Sequence, residues 1–397
     1  MDKVAIIGGG PAGLIAAYEL SPRFEVDLYE GGRTVGRKFL VAGEGGLNIT
    51  NSAQGDALMG HYLPAGTLEP ALSAFGPEAL RHWLAELGIP TFVGSSGRVF
   101  PERGIKPAEV LKAITTALVA KGVRIHTEHR FVGFDEHVRP IVQHAGARIV
   151  IDAPRVLFAL GGASWPKTGS TGEWMPHFES IGVRTQPFRA SNCGVEAALP
   201  DALKVHAGKP LKNIAVRCGD RTIRGEATIT EHGVEGNAVY PLIPVVRAAL
   251  EAEGKAELII DLKPDLSEAQ IEHKLQDAAW KERMARLRLD RPSVALLKAF
   301  TPMMRYIDGS TMAHDVKHVH IPVHGLRPID EAISTVGGIA LDEVGEDLSL
   351  KKHPNIFMAG EMLDWDAPTG GFLLQGAFSS GRWAALGMRS GDSADIP

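Results

Sequence analysis

Residues 4–30, VAIIGGGPAGLIAAYELSPRFEVDLYE, leave this chain few folds to choose from. Val4 to Ile7 is an unbroken apolar run, the pattern of a strand buried on both faces. Gly8, Gly10 and Gly13 follow at G-x-G-x-x-G spacing, with Pro11 and Ala12 between the last two. Leu14 to Leu20 predicts a helix, Phe24 to Tyr29 a second strand, and Glu30 ends that strand with Gly31 after it. Each part has a mechanical job. Gly8 permits the tight turn, Gly10 lets main chain approach a pyrophosphate, and Gly13 packs helix on strand. The helix N-terminus, at Pro11 and Ala12, offers free N–H groups and a positive dipole end. Glu30 can accept hydrogen bonds from a ribose, which favours FAD or NAD over NADP. The motif alone leaves FAD and NAD open.

Three more glycine-rich segments follow. In GRKFLVAGEGGLNITN (residues 36–51), Gly43 and Gly45 permit close main-chain approach. Arg37 and Lys38 could neutralise phosphate there, and Asn48, Thr50 and Asn51 add short hydrogen-bonding groups. In VLFALGG (residues 156–162), an apolar strand reaches Ala159 and ends in the pair Gly161-Gly162, where a cofactor could pass close. In NIFMAGE (residues 355–361), a strand runs into Gly360 and Glu361. PTGGFLLQG then places Gly370, Gly371, Phe372, Leu373 and Gln375 where a helix should begin, with Ala377 to Leu386 as its body. A helix N-terminus aimed at a reduced flavin would favour its negative charge.

With these stretches in order, the chain resembles the three-domain bacterial FAD flavoproteins that include BaiN, YhiN and aminoacetone oxidase. The resemblance also rests on GRVFP (residues 97–101), ALGGASWPKTGSTGE (residues 159–173) and TVGGIALDEV (residues 335–344). It implies an α/β fold: a discontinuous Rossmann-like FAD-binding domain with an inserted β-rich domain that itself carries a small helical domain. It implies non-covalent FAD, with Glu30 on the adenosine ribose, Glu361 near the ribityl chain and the 370–376 turn beside the isoalloxazine. Two positions depart from the family pattern. Gly46-Leu47 replaces an Arg-Cys pair, and Leu160 stands where Thr is usual.

The cofactor-binding pieces lie at both ends, so residues 1–185 and 327–397 are expected to form one domain. Residues 186–245 and 302–326 are expected to be β-rich, since KNIAVRCGDRTIRGEATITEHGVEG alternates and KHVHIPVHGL reads as a returning strand. Residues 246–301 are expected to be helical, opened in part by a capping box at Ser267 and Gln270. Residues 76–88 and 107–121 predict two further helices with apolar faces.

Composition narrows the function. A net charge of -5 gives no overall pull toward nucleic acid or an anionic membrane, and no run of about 18 apolar residues predicts a membrane span. A strand opening at Lys3 leaves no room for a signal peptide. Cys193 and Cys218, 25 positions apart, fit a reducing cytoplasm and exclude a CxxC redox pair. His314, His318, His320 and His324 cluster loosely without an acid or Cys at ligand spacing, so no metal is expected. The expectation is a cytoplasmic FAD-dependent oxidoreductase moving a hydride between a small organic substrate and flavin, with NAD(P)H as a possible donor. A peroxide-forming amine oxidase and a non-enzymatic flavin redox sensor are the alternatives. Trp165, Lys167, Tyr240 and Arg305 are candidate lining residues in a cleft between cofactor domain and inserts. No general base is named.

Overall fold

The computed structural model describes residues 1–42, 46–279 and 281–390. Gly43 and Gly45 therefore lie outside the described residues. The chain forms two compact units, residues 1–189 with 334–397, and residues 190–333.

The first unit is built on a six-stranded sheet. The strand Lys3–Ile7 lies at its centre, parallel to Glu25–Tyr29 on one side and Arg155–Phe158 on the other. Arg124–His126 extends one edge in parallel, and His353–Met358 the other, with the short antiparallel strand Ser349–Leu350 outermost. Two strands more than 150 residues apart thus flank one another, which is why both chain ends share one sheet. Val4 to Ile7 are at most 1% exposed, as a doubly covered strand requires. The helix Pro11–Leu20 is equally apolar all round, because it too is covered on both sides.

Its outer cover is the C-terminal helix Phe372–Ser390. The helix begins directly after Gly370-Gly371, where it was expected to begin, and runs past the expected body of 377–386 to Ser390. Contact is close at Gly381: an added Cβ would stand 2.3 Å from the Ala12 carbonyl oxygen and 2.7 Å from its Cα. Glu19 fixes the same pair of helices, accepting from Arg382 Nε at 3.0 Å and pairing also with Arg389. The helices Pro77–Glu86 and Pro107–Ala120 form where the sequence predicted them.

The second unit is a closed six-stranded barrel in the order Val195–Ala197, Gly233–Glu235, Arg221–Ile229, Pro210–Cys218, Ala256–Asp261, Val319–Leu326. The strand Ala256–Asp261 corrects the expectation that 246–301 is wholly helical. Leu258 and Ile260 alternate into the barrel core, both 0% exposed, so a period of two was present in AELIID. Conversely, the helix Gly309–Lys317 falls within the stretch expected to be β-rich. Ile271, Leu275, Leu296, Leu297 and Met312 from the helices share one core with the barrel strands. The unit edges at 189/190 and 333/334 differ from the expected 185/186 and 326/327. The strand Thr185–Ser191 pairs with Ser334–Ile339 and carries the sheet structure past the expected 185/186 edge, while residues 327–333 stay with the second unit, Ala332 lying in its core. The capping box at Ser267 is formed, with Gln270 N–H donating to Ser267 Oγ at 3.2 Å and Ser267 N–H to Gln270 Oε1 at 2.9 Å. Cys193 and Cys218 are both buried and are not joined in a disulfide.

Two outcomes follow for the first unit. Gly381→Ala adds about 1 kcal/mol of helix propensity, but overpacking against fixed main chain costs about 3 kcal/mol. Its thermal melt should therefore fall, and an unchanged or raised Tm would show the helix contact to be looser. Asp27 is held below its ordinary 3.8 chiefly by hydrogen bonding to Arg124, at 2.7 and 2.8 Å, with His126 Nε2 2.7 Å away. A depressed carboxyl contributes stability above its unfolded value that is lost as pH falls through the folded one. Asp27→Asn should flatten the Tm profile below about pH 4 and lower Tm at neutral pH.

Candidate cofactor site

At the end of the first strand the chain turns at Gly8, whose φ of 115° lies in the region open to glycine. An added Cβ there would meet the Ala159 carbonyl oxygen at 2.2 Å, and one on Gly13 would meet the Gly8 oxygen at 1.9 Å. The fold itself therefore demands both glycines. Gly10 is different. Its φ of -79° is ordinary, and an added Cβ would meet nothing within 4 Å. No contact among the described residues accounts for a glycine there. Gly10 is also the residue before the helix and supplies no side-chain cap, and Pro11 supplies no N–H. The amides of Ala12 and Gly13 thus receive no capping side chain, the arrangement of an anion-binding helix start.

Glu30 is seated on this turn. Its Oε2 accepts from Gly9 N–H at 2.9 Å and its Oε1 from Gly32 N–H at 2.6 Å. Each carboxylate oxygen keeps a further lone pair for a ribose hydroxyl. The main chain of Glu30 is bonded on both sides by His126 and His129, which fixes the run through Gly31.

Lys38 is not left to neutralise phosphate. Its Nζ donates to Glu361 Oε2 at 2.8 Å and to Ser164 Oγ at 2.7 Å. Glu361 Oε1 in turn accepts from Thr335 N–H at 2.9 Å, and Thr335 Oγ1 accepts from Ala163 N–H at 3.1 Å. Gly162 lies within this network, where a Cβ would stand 2.1 Å from Thr335 Oγ1. The carbonyl of its neighbour Gly161 accepts from Trp174 Nε1 at 3.0 Å. Gly360, with φ 80°, brings Glu361 beside the first helix, 3.1 Å separating an added Cβ from Ala12 Cβ. Arg37 donates one guanidinium N–H to the Lys167 carbonyl at 2.7 Å.

A second set of residues meets at the start of the C-terminal helix. Asn51 Nδ2 donates to the Gly370 carbonyl at 3.1 Å, and Thr50 Oγ1 is 2.5 Å from Gln375 Oε1. Gly370 and Gly371 both have positive φ, and a Cβ on Gly371 would fall 2.2 Å from the Thr50 carbonyl oxygen. Gln375 is fully buried and also donates to Phe75 O and Ser379 Oγ. Phe372 stacks on His61 at 4.0 Å, and its carbonyl accepts from Tyr62 Oη at 2.8 Å. Burial pushes the Tyr62 phenol far up, so it stays a neutral donor. Leu373 is half-buried beside it. Asn48 Oδ1 is buried with no hydrogen-bond partner among the described residues. Both sets hang on one helix, with about 15 Å of it between Gly371 and Gly381.

Sequence reasoning missed Thr335, Ser164, Tyr62 and Arg98, although TVGG and GRVFP contain two of them. Arg98 pairs in register with Asn51, and its Nε lies 3.9 Å from a Cβ placed on Gly370. Its guanidinium has no ion pair or hydrogen bond among the described residues. Of the suggested lining residues, Trp165 is 39% exposed at φ 60°, and the Lys167 carbonyl caps Arg37. In the second unit, Arg305 is spent on Asp315 at 2.7 Å, and burial pushes the Tyr240 phenol up to about 12.

The contrast between glycines is testable. Gly10→Ala should leave the apoprotein's melt within about 0.5 kcal/mol of wild type while weakening FAD binding at least tenfold. Gly13→Ala should unfold the protein. Equal FAD affinity in Gly10→Ala would remove Gly10 from the cofactor's path.

Over residues 2–387 the sequence matches the model of the HI0933-like protein Rossmann domain. It is 24% identical over 404 residues to the 3-dehydro-bile acid delta(4,6)-reductase of Clostridium scindens, spanning 96% of this chain and 97% of that one. It is 23% identical over 403 residues to the ribosomal RNA dihydrouridine synthase of Haemophilus influenzae, again spanning 96% and 97%. Its fold is similar to that of 3-ketosteroid delta1-dehydrogenase from Sterolibacterium denitrificans, with a TM-score of 0.54 at 14% identity over 98% of this chain and 99% of that one. An uncapped helix start, a carboxylate seated beside it and a second glycine turn on the helix that covers it suit FAD, and the chain belongs to the HI0933-like protein Rossmann domain family as an FAD-dependent oxidoreductase.

Proposed function

We propose that this enzyme reduces a carbon–carbon double bond conjugated to a carbonyl, with NAD(P)H as the electron source. Bound FAD supplies hydride chemistry, and the protein supplies position and electrostatics. Read as chemistry, the names of the bile-acid and dihydrouridine relatives both describe saturation of such a bond. Hydride is added at the carbon β to the carbonyl and a proton at the α carbon. Negative charge then develops on the carbonyl oxygen.

The observation that carries the reading is Arg98. It offers an unspent guanidinium beside the Gly370–Gly371 turn, with Asn51 holding that turn. A donor aimed at a developing oxyanion is worth about 100- to 1000-fold in rate. The exposed Trp165 ring, four residues beyond Gly161, offers an apolar surface to the substrate body. In this reading Gly8 to Gly13 and Glu30 hold the adenosine and pyrophosphate. Glu361 with Lys38 lines the ribityl stretch, and Gly370 to Gln375 with Thr50 and Asn51 holds the flavin.

Anaerobic titration tests the reading. NADH or NADPH should bleach the flavin's yellow colour, and an enone should restore it stoichiometrically. An uridine-containing ribosomal RNA fragment is a second arm, in which restored colour would make the substrate a nucleobase. Bleaching by a primary amine, with peroxide on admitting air, would replace the proposal with an amine oxidase. No bleaching by any donor, with partner binding that changes on photoreduction, would replace it with a sensor. Arg98→Gln should lower the rate of reoxidation by enone about 100-fold with FAD content unchanged. A loss confined to FAD content would reassign Arg98 to the cofactor.

A further inference from the structure

The fourteen-residue run from Asp308 to Ile321 contains most of the clustered histidines, and its own acids, Asp308 and Asp315, are engaged elsewhere. The fold supplies another. The helix Glu268–Leu275 packs on the helix Gly309–Lys317, and its first residue, Glu268, reaches the two histidines at the end of the second helix. Glu268 Oε1 lies 3.4 Å from His314 Nδ1 and 3.5 Å from His318 Nδ1. The two imidazoles, four residues apart, stack with centroids 4.4 Å apart.

We propose that Glu268, His314 and His318 bind a divalent transition-metal ion, zinc being the best match. The three ligand atoms all lie within 4.8 Å of one another. Ligands about 2.1 Å from a tetrahedral zinc stand about 3.4 Å from each other, which is the separation found for both nitrogen–oxygen pairs. Two imidazoles and one carboxylate are a donor set zinc accepts, with water completing the tetrahedron.

The neighbouring charges are already committed. Asp308 caps its own helix through Ser310 and Thr311, Asp315 holds Arg305, and Lys317 holds Asp261 at 2.5 Å. No cation competes for Glu268 from its own site among the described residues. His318 Nδ1 also lies 3.1 Å from the His314 carbonyl oxygen, a contact that metal ligation would exchange for the stronger bond. All three side chains are 31% to 52% exposed, so the ion has an open path and the variants leave the core intact. The ion would clamp two helices of the barrel unit and is separate from the flavin chemistry, which resides in the other unit.

The test uses untagged, FAD-loaded protein stripped with chelator and titrated with Zn2+ by calorimetry. One zinc per chain should bind and raise Tm. Glu268→Gln should weaken binding more than about tenfold, and the double variant His314→Ala, His318→Ala should abolish it. The control His320→Ala, His324→Ala should bind like wild type. Co2+ on the wild-type protein should give the intense visible bands of a tetrahedral ion, displaced by Zn2+. Equal zinc uptake by wild type and the His314/His318 double variant would overturn the proposal. So would the absence of both zinc heat and the cobalt bands in wild type.

Discussion

The first helix is gripped on both sides by contacts that leave no room for a methyl group. Gly13 sits on the Gly8 carbonyl beneath it, and Gly381 sits on the Ala12 main chain above. Each is a contact of helix backbone with backbone, and such contacts yield little to strain. The position of the first helix start is therefore set by the sheet below and the last helix above. Everything else in the cofactor site is referred to that position, including Glu30, the Gly360 bend and the glycine turn at 370–371.

The cofactor site handles charge in an unexpected way. Arg37 and Lys38 stand next to the motif in sequence and look like phosphate ligands. Both are used within the protein, one on a main-chain carbonyl and one on Glu361. The helix start itself offers main-chain amides and a dipole, which act at fixed geometry and carry no flexible side chain. The Lys38–Glu361 pair instead welds residues 323 positions apart, and its partly buried setting makes it sensitive to loss of either partner.

Much of this was legible in the sequence, and the reasons are local. The strand, turn, helix and acid of residues 4–30 follow from period, glycine spacing and burial, and so does the capping box at Ser267. The strand Ala256–Asp261 was missed because it is short and flanked by helices, although Leu258 and Ile260 alternate. Ligand-side partners such as Thr335 and Arg98 were not legible, since nothing local to TVGG or GRVFP says what they touch. The same holds for Glu268, whose meeting with His314 and His318 depends on how two helices pack rather than on spacing. Long-range pairing of side chains is decided by tertiary contact, and sequence period reports only which face is buried.

The interleaving of the sheet has a consequence for how the protein is made on the ribosome. The strand Arg155–Phe158 must wait nearly two hundred residues for its neighbour His353–Met358, and the first helix waits longer for its cover. The stretch 190–333 lies between those two strands and has a core of its own. The nascent chain therefore carries a finished barrel between two halves of an unfinished cofactor domain. A polypeptide that ends before Phe372 lacks the helix that covers Pro11–Leu20, so the cofactor unit is complete only when the last part of the chain has been made.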